Sequence, residues 1–171
     1  MAYIDLNYLL TRLGHAIMWN NIEEVEEVIK KCPDIVNAGG TLSNTALHQF
    51  ASSFSTVDPA MLQLLLRKGA NIDQPNDFGQ TPIFLCQSPE AVILLAKAGA
   101  NLIVRDYKNR SPLHQMVKHA DLETIMALVE VMLEKGMSLE PKDIRNRTPL
   151  EFLETKGLRQ NKIDYLKSKV I

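Results

Sequence analysis

The side chains with most chemistry to offer in this 171-residue sequence are its four histidines and two cysteines. Cys32 and Cys86 stand 54 residues apart, with no Cys-x-x-Cys pair and no neighbouring pair of histidines. That arrangement suits neither a zinc site nor a disulfide framework, and it fits a reducing compartment. A catalytic thiol needs a base to take its proton and donors to hold an oxyanion. The surroundings of Cys86, "IFLCQSPEA", offer no such set. His48 and His114 sit in matching phrases, "TALH" and "SPLH", so they belong to a recurring pattern rather than to a lone reactive site. The acidic run "EEVEEV" at 23–28 reads as a solvated helix face flanking buried Val25 and Val28. No phosphate-cradling glycine loop, zinc-protease helix or serine-hydrolase elbow occurs. The expectation is a chain with no catalytic residue, no metal and no cofactor.

Composition narrows the class. Hydrophobic residues make up 46% and charged residues 23%, as in a folded domain rather than a disordered segment. A formal charge of −1 argues against a broad electrostatic hold on nucleic acid or anionic membrane, although local basic patches are compatible with it. No apolar run reaches the length of a membrane span, and "MAYIDLNYLL" lacks the basic region that opens a secretory signal. The expected setting is the cytosol.

The elements that position these residues recur. Thr45 ("NTALH"), Thr81 ("QTPIF"), Ser111 ("RSPLH") and Thr148 ("RTPLE") are spaced by 36, 30 and 37 residues, and Thr11 stands 34 before the first. A second phrase recurs with them: "LLRKGANID" (65–73), "LAKAGANLI" (95–103), the weaker "MLEKGMSLE" (132–140), and "VIKKCPDIV" (28–36) with Cys32 in the glycine place. Asp58-Pro59 and Ser88-Pro89 precede the two strong copies by equal distances and read as helix starts. The glycines Gly69, Gly99 and Gly136 read as helix ends. Each unit is therefore a polar turn, a capped short helix, a tight turn and a longer apolar helix. Spacing varies because "SSFSTVD" (52–58) is inserted between two helices and the third unit shortens the same turn.

These phrases resemble the ankyrin repeat, whose pattern runs D-x-x-G-x-T-P-L-H and ends L-L-x-x-G-A. The resemblance covers residues 5–169. Ala16, Asn20, Val25, Val28, Ile29 and Cys32 keep register from Thr11 as an N-terminal cap would, and Gly157, Tyr165 and Leu166 do so at the other end. The departures are Ala46 after Thr45, no His after Ile83 or Leu150, and a mostly missing glycine between helices. The resemblance implies an all-α solenoid of stacked helix-turn-helix units in a single domain, 1–171. Its repeats would be 1–38, 39–74, 75–104, 105–141 and 142–171, the first and last capping, with a shared elongated core. Buried residues should include Leu47, Leu65, Leu66, Ile83, Leu95, Leu113, Val129, Leu133, Leu150 and Leu166. By the same resemblance, His48 and His114 tie adjacent turns together, and Cys86 fills a small-residue core position.

In such an architecture the turns project as fingers beside the ends of the first helices, and a partner sits there. The finger positions include Leu42, Asp77, Phe78, Gln80, Tyr107, Lys108, Arg110, Ile144, Arg145 and Arg147. The helix ends add Trp19, Lys118 and His119. Leu42, Phe78, Tyr107 and Ile144 are apolar or aromatic at expected loop tips, as interface anchors are. "RDYKNR" (105–110) and "KDIRNR" (142–147) each set three Lys/Arg against one Asp. The expectation is a non-enzymatic protein-binding module, monomeric alone, which acts as adaptor, scaffold, inhibitor or regulator. Its protein partner would carry an acidic stretch beside a hydrophobic one. Two other readings are a microbial or viral effector acting on proteins of a host cytosol, and an acidic ligand, nucleic acid or lipid headgroup, held by the basic fingers.

Overall fold

The structure is a computed structural model describing residues 5–53, 57–154 and 160–170. Within these residues the chain is all-helical: α1 (Leu6–Met18), α2 (Ile22–Lys31), α3 (Ala46–Ala51), α4 (Pro59–Arg67), α5 (Pro89–Lys97), α6 (Pro112–His119), α7 (Leu122–Glu134), α8 (Pro149–Glu154) and α9 (Gln160–Lys169). Short 3-10 turns occupy Pro33–Val36, Thr41–Ser43 and Pro82–Leu85. No helix among the described residues is long and apolar enough to cross a membrane.

Helix starts follow from side chains that reach the first free N–H groups. Asp5, Asn21, Asp58, Ser88 and Asp121 accept in this way at α1, α2, α4, α5 and α7. Pro leads α4, α5 and α6, where its missing N–H has no intrahelical partner to lose. Helices α4 and α5 end on Gly69 and Gly99 at φ +88° and +96°, a left-handed turn that disfavours any side chain. There Ala70 and Ala100 N–H groups reach back to the Leu65 and Leu95 carbonyls at 3.0 Å.

The elements stack in two rows. Along the inner row α1, α3, the 82–85 turn, α6 and α8 each touch the next, and each packs on the helix that follows it in sequence. The core runs the length of the stack through fully buried Leu47, Leu65, Ile83, Leu95, Leu113 and Val129 to Leu166. Three expected core residues differ. Leu133 is 42% exposed, because its neighbour Met132 makes the core contact and one residue further rotates by about 100° onto the flank of α7. Leu66 is half-buried beside buried Leu65 for the same reason. Leu150 is half-buried because, among the described residues, α8 has an inner-row neighbour on one side only.

The third unit departs from the expected helix pair. Its first element is a single 3-10 turn, Pro82–Leu85, rather than an α-helix. Ser88 caps α5 in an extended conformation (φ −137°, ψ 152°), as the residue before Pro89 must, and too few residues remain between Thr81 and that cap for a second turn. Gly157 and part of the 52–58 insertion lie outside the described residues.

Candidate interaction surface

The fingers are built from one local device. Asn76, Asp106 and Asp143 each accept through one side-chain oxygen from two backbone N–H groups, two and four residues ahead, at 2.8–3.1 Å. The turn closes through left-handed Gly79, Asn109 and Asn146, residue types that tolerate positive φ. Asp106 and Asp143 are buried, and a cation four residues on neutralises each. Arg110 reaches Asp106 Oδ2 at 2.6–2.8 Å, and Arg147 reaches Asp143 Oδ2 at 2.7–3.1 Å. Burial alone would raise the Asp143 pKa; the Arg147 side-chain and backbone hydrogen bonds, the Arg145 N–H and the Arg147 charge together outweigh it and hold the group below its ordinary 3.8. Successive fingers are joined in one register by backbone bonds: Asp77 N–H to Leu42 O, Tyr107 N–H to Phe78 O, and Ile144 N–H to Lys108 O, all at 3.1 Å.

Finger bases are locked to the inner row by two histidines. His48 Nδ1 accepts from the Thr45 N–H at 3.1 Å while Nε2 donates to the Gln80 carbonyl at 2.9 Å. His114 repeats the pattern with the Ser111 N–H (3.2 Å) and the Arg147 carbonyl (2.8 Å). Burial lowers both imidazole pKa values, so the neutral tautomer that this geometry requires is the favoured one. Phe84 replaces the histidine in the third unit, and the buried Thr81 hydroxyl is left without a hydrogen-bond partner. In the last unit Glu151 takes over, accepting from the Thr148 N–H at 2.7 Å.

On this frame the finger tips project. Tyr107 (76%), Ile144 (65%), Leu42 (49%) and Phe78 (48%) are exposed, and so are Asp77, Lys108 and Arg145. Trp19, the cap after α1, is 80% exposed, and Lys118 and His119 are exposed at the end of α6. His119 is held below its ordinary pKa by partial burial and then by the positive charges of Lys118, Arg110 and Lys162. Not every expected residue faces outward. Gln80 is 5% exposed, with its side-chain amide nitrogen on Asp106 (3.4 Å) and its backbone carbonyl taken by His48, so it braces two fingers from inside. Arg110 and Arg147 are likewise anchors for buried aspartates, each with about a fifth of its side chain exposed.

Between fingers and inner helices lie two hollows. One, of about 590 Å3, is walled by α1 (Leu10, Gly14, Met18), the 39–41 turn and Gln49 of α3. The other, of about 260 Å3, gathers Lys108, Arg110, Lys118, Ile144, Arg145 and Arg147 around Phe152. Six of the expected site residues thus share one notch, whereas Trp19, Leu42, Phe78 and Tyr107 line neither hollow. The roles of Asp106 and Asp143 are legible in the sequence as an Asp four residues before an Arg. Lys162 of α9 gave no such signal: it is buried and donates to the Val117 and Ala120 carbonyls at the end of α6.

Cys86 is fully buried, and burial pushes its thiol pKa far up, away from a nucleophile. Cys32 is half-buried. Among the described residues no group of three or more metal-ligating side chains comes together.

The comparisons with known proteins agree with this geometry. The ankyrin-repeat family model matches residues 43–77. The mouse B-cell lymphoma 3 protein homolog is 31% identical over 151 residues, covering 82% of this chain and 32% of that protein. The zebrafish protein named "Putative palmitoyltransferase ZDHHC13" is 30% identical over 95 residues, covering 53% of this chain and 14% of that protein. The chain therefore spans about a third of one relative's length and about a seventh of the other's. With helix pairs stacked in two rows, histidine-locked fingers and these matches, the chain belongs to the ankyrin-repeat family.

Proposed function

We propose that this chain is a non-enzymatic protein-binding module that holds its partner along the fingers and the trough beneath them. The observation that carries the reading is the pairing of rigidity with exposure. Four apolar or aromatic tips project from turns whose backbones are bonded to one another and to buried side chains. A tip whose backbone is already held in place loses less entropy on binding, so exposed Tyr107 and Phe78 suit the role of anchors. The reading places the chain in the cytosol as a monomer, with repeats dividing near residues 38, 74, 104 and 141. It works as an adaptor, inhibitor or regulator, a role supported by buried Cys86 and by the neutral, structurally committed His48 and His114.

The test is affinity capture from the native cytosol, with wild type beside a variant carrying Phe78→Ala, Tyr107→Ala, Lys108→Glu and Arg145→Glu. These four side chains are exposed and make none of the finger's internal bonds, so the fold should survive. Arg110 and Arg147 are left intact because reversing either would set a second carboxylate beside a buried aspartate. A protein captured by wild type and lost from the variant is the expected result. Identical captures would move the interface elsewhere.

A further inference from the structure

We infer that the notch between the last two fingers is a receptor for an acidic peptide segment, taking an Asp or Glu carboxylate with an apolar side chain beside it. The inference rests on the protein-binding reading above and names the chemistry of one part of that surface.

Charge balance is the first argument. Five cations line the notch: Lys108, Arg110, Lys118, Arg145 and Arg147. The two aspartates that face them, Asp106 and Asp143, are already saturated. In each, one oxygen takes two backbone N–H groups and the other takes the Arg four residues on. Arg110 and Arg147 are thereby fixed, and the Arg147 guanidinium also lies 4.8 Å from the Phe152 ring centroid. Among the described residues Lys108, Lys118 and Arg145 make no ion pair, although they share one hollow of about 260 Å3. Three like charges gathered in a concavity focus a field that an incoming carboxylate relieves.

Shape and surroundings select the occupant. The hollow is of a size for one or two side chains, not for a polyanion backbone, and the whole chain carries −1 rather than the excess of cations that nucleic acid or an anionic membrane requires. Ile144, 65% exposed on the wall, and Phe152 on the floor give an adjacent apolar side chain a place to pack.

The experiment titrates isotope-labelled full chain with synthetic peptides in which two glutamates and one leucine are permuted through alanine–serine spacers, followed by backbone amide NMR. At least one peptide is expected to shift the amides of Lys108, Lys118, Ile144 and Arg145. Its glutamine counterpart should bind at least tenfold more weakly, and affinity should fall as salt rises. Lys118→Gln with Arg145→Gln, checked for unchanged melting, should also lose at least tenfold. No shift at the notch from any peptide, or equal binding of Glu and Gln versions, overturns the inference. So does tighter binding at the same amides by a phosphoserine peptide, a single-stranded oligonucleotide or phosphatidylserine vesicles. A partner that protects Leu42, Phe78 and Tyr107 while leaving the notch unmoved would overturn this inference alone. Failure of the capture experiment would remove the broader reading.

Discussion

An imidazole that accepts at one nitrogen and donates at the other must be neutral, and His48 and His114 are both held that way in buried positions. Folding therefore lowers their pKa values relative to the unfolded chain, first of all by burial. The unfolded state binds more protons once pH drops below the ordinary histidine value of about 6.5, so stability is complete above that pH and is lost as pH falls through it. Chemical denaturation from pH 7.5 to 5 should show that decline, and His48→Gln with His114→Gln should flatten it. A slope unchanged in the double variant would mean the imidazoles are not the groups responsible. Asp143, held low by Arg147, acts in a separate window, below its ordinary 3.8. The hydroxyls that cap these units give a second contrast. Ser111 caps the His114 N–H and contacts its ring, so Ser111→Ala should cost about 1 kcal/mol. Thr81 Oγ1 is buried without a hydrogen-bond partner, so Thr81→Val should be neutral or stabilising in the same denaturation assay.

At the scale of elements, glycines that look alike in sequence do different work. A Cβ at Gly69 or Gly99 meets nothing within 4 Å, so alanine there should cost only the left-handed backbone strain, about 1–2 kcal/mol by thermal melting. A Cβ at Gly79 would stand 2.7 Å from the Tyr107 ring. Gly79→Ala should therefore add displacement of that ring to the strain, visible as shifted Tyr107 ring resonances that Gly69→Ala leaves untouched. Helix starts and ends were legible in the sequence because each depends on one or two adjacent residues: Asp58-Pro59, Ser88-Pro89, Gly69, Gly99. The 3-10 turn at 82–85 was not, because its cause is a length: the cap before Pro89 arrives before a second helical turn is complete. Leu133 and Leu66 misled for a related reason. An apolar pair at the end of a helix does not say which of its members turns inward.

For the whole molecule, a core shared between units means that no unit's inner face is buried alone. Leu113 is fully buried in α6, which packs on the 82–85 turn on one side and on α8 on the other, and Leu113→Ala should cost about 2–5 kcal/mol in a single cooperative transition. Retained stability would place the register elsewhere. The candidate surface was partly legible at this scale. Exposed tips such as Tyr107 and Ile144 follow from counting positions within the repeat. The inward turn of Gln80 depends on Asp106 and His48, 26 and 32 residues away, which a local pattern does not contain, whereas the anchoring of Arg110 and Arg147 rests on aspartates four residues earlier in the same finger.

The central claim is that a partner lies along the fingers and not on the outer helices, and site-directed photo-cross-linking in the native cytosol tests it most directly. A photoreactive benzophenone side chain would replace Phe78, Tyr107 or Ile144 on the fingers, and Lys97 or Leu133 on outer helices α5 and α7. The account predicts one protein adduct common to the three finger positions and absent from the two outer ones. Adducts from Lys97 or Leu133, with none from the fingers, would contradict it.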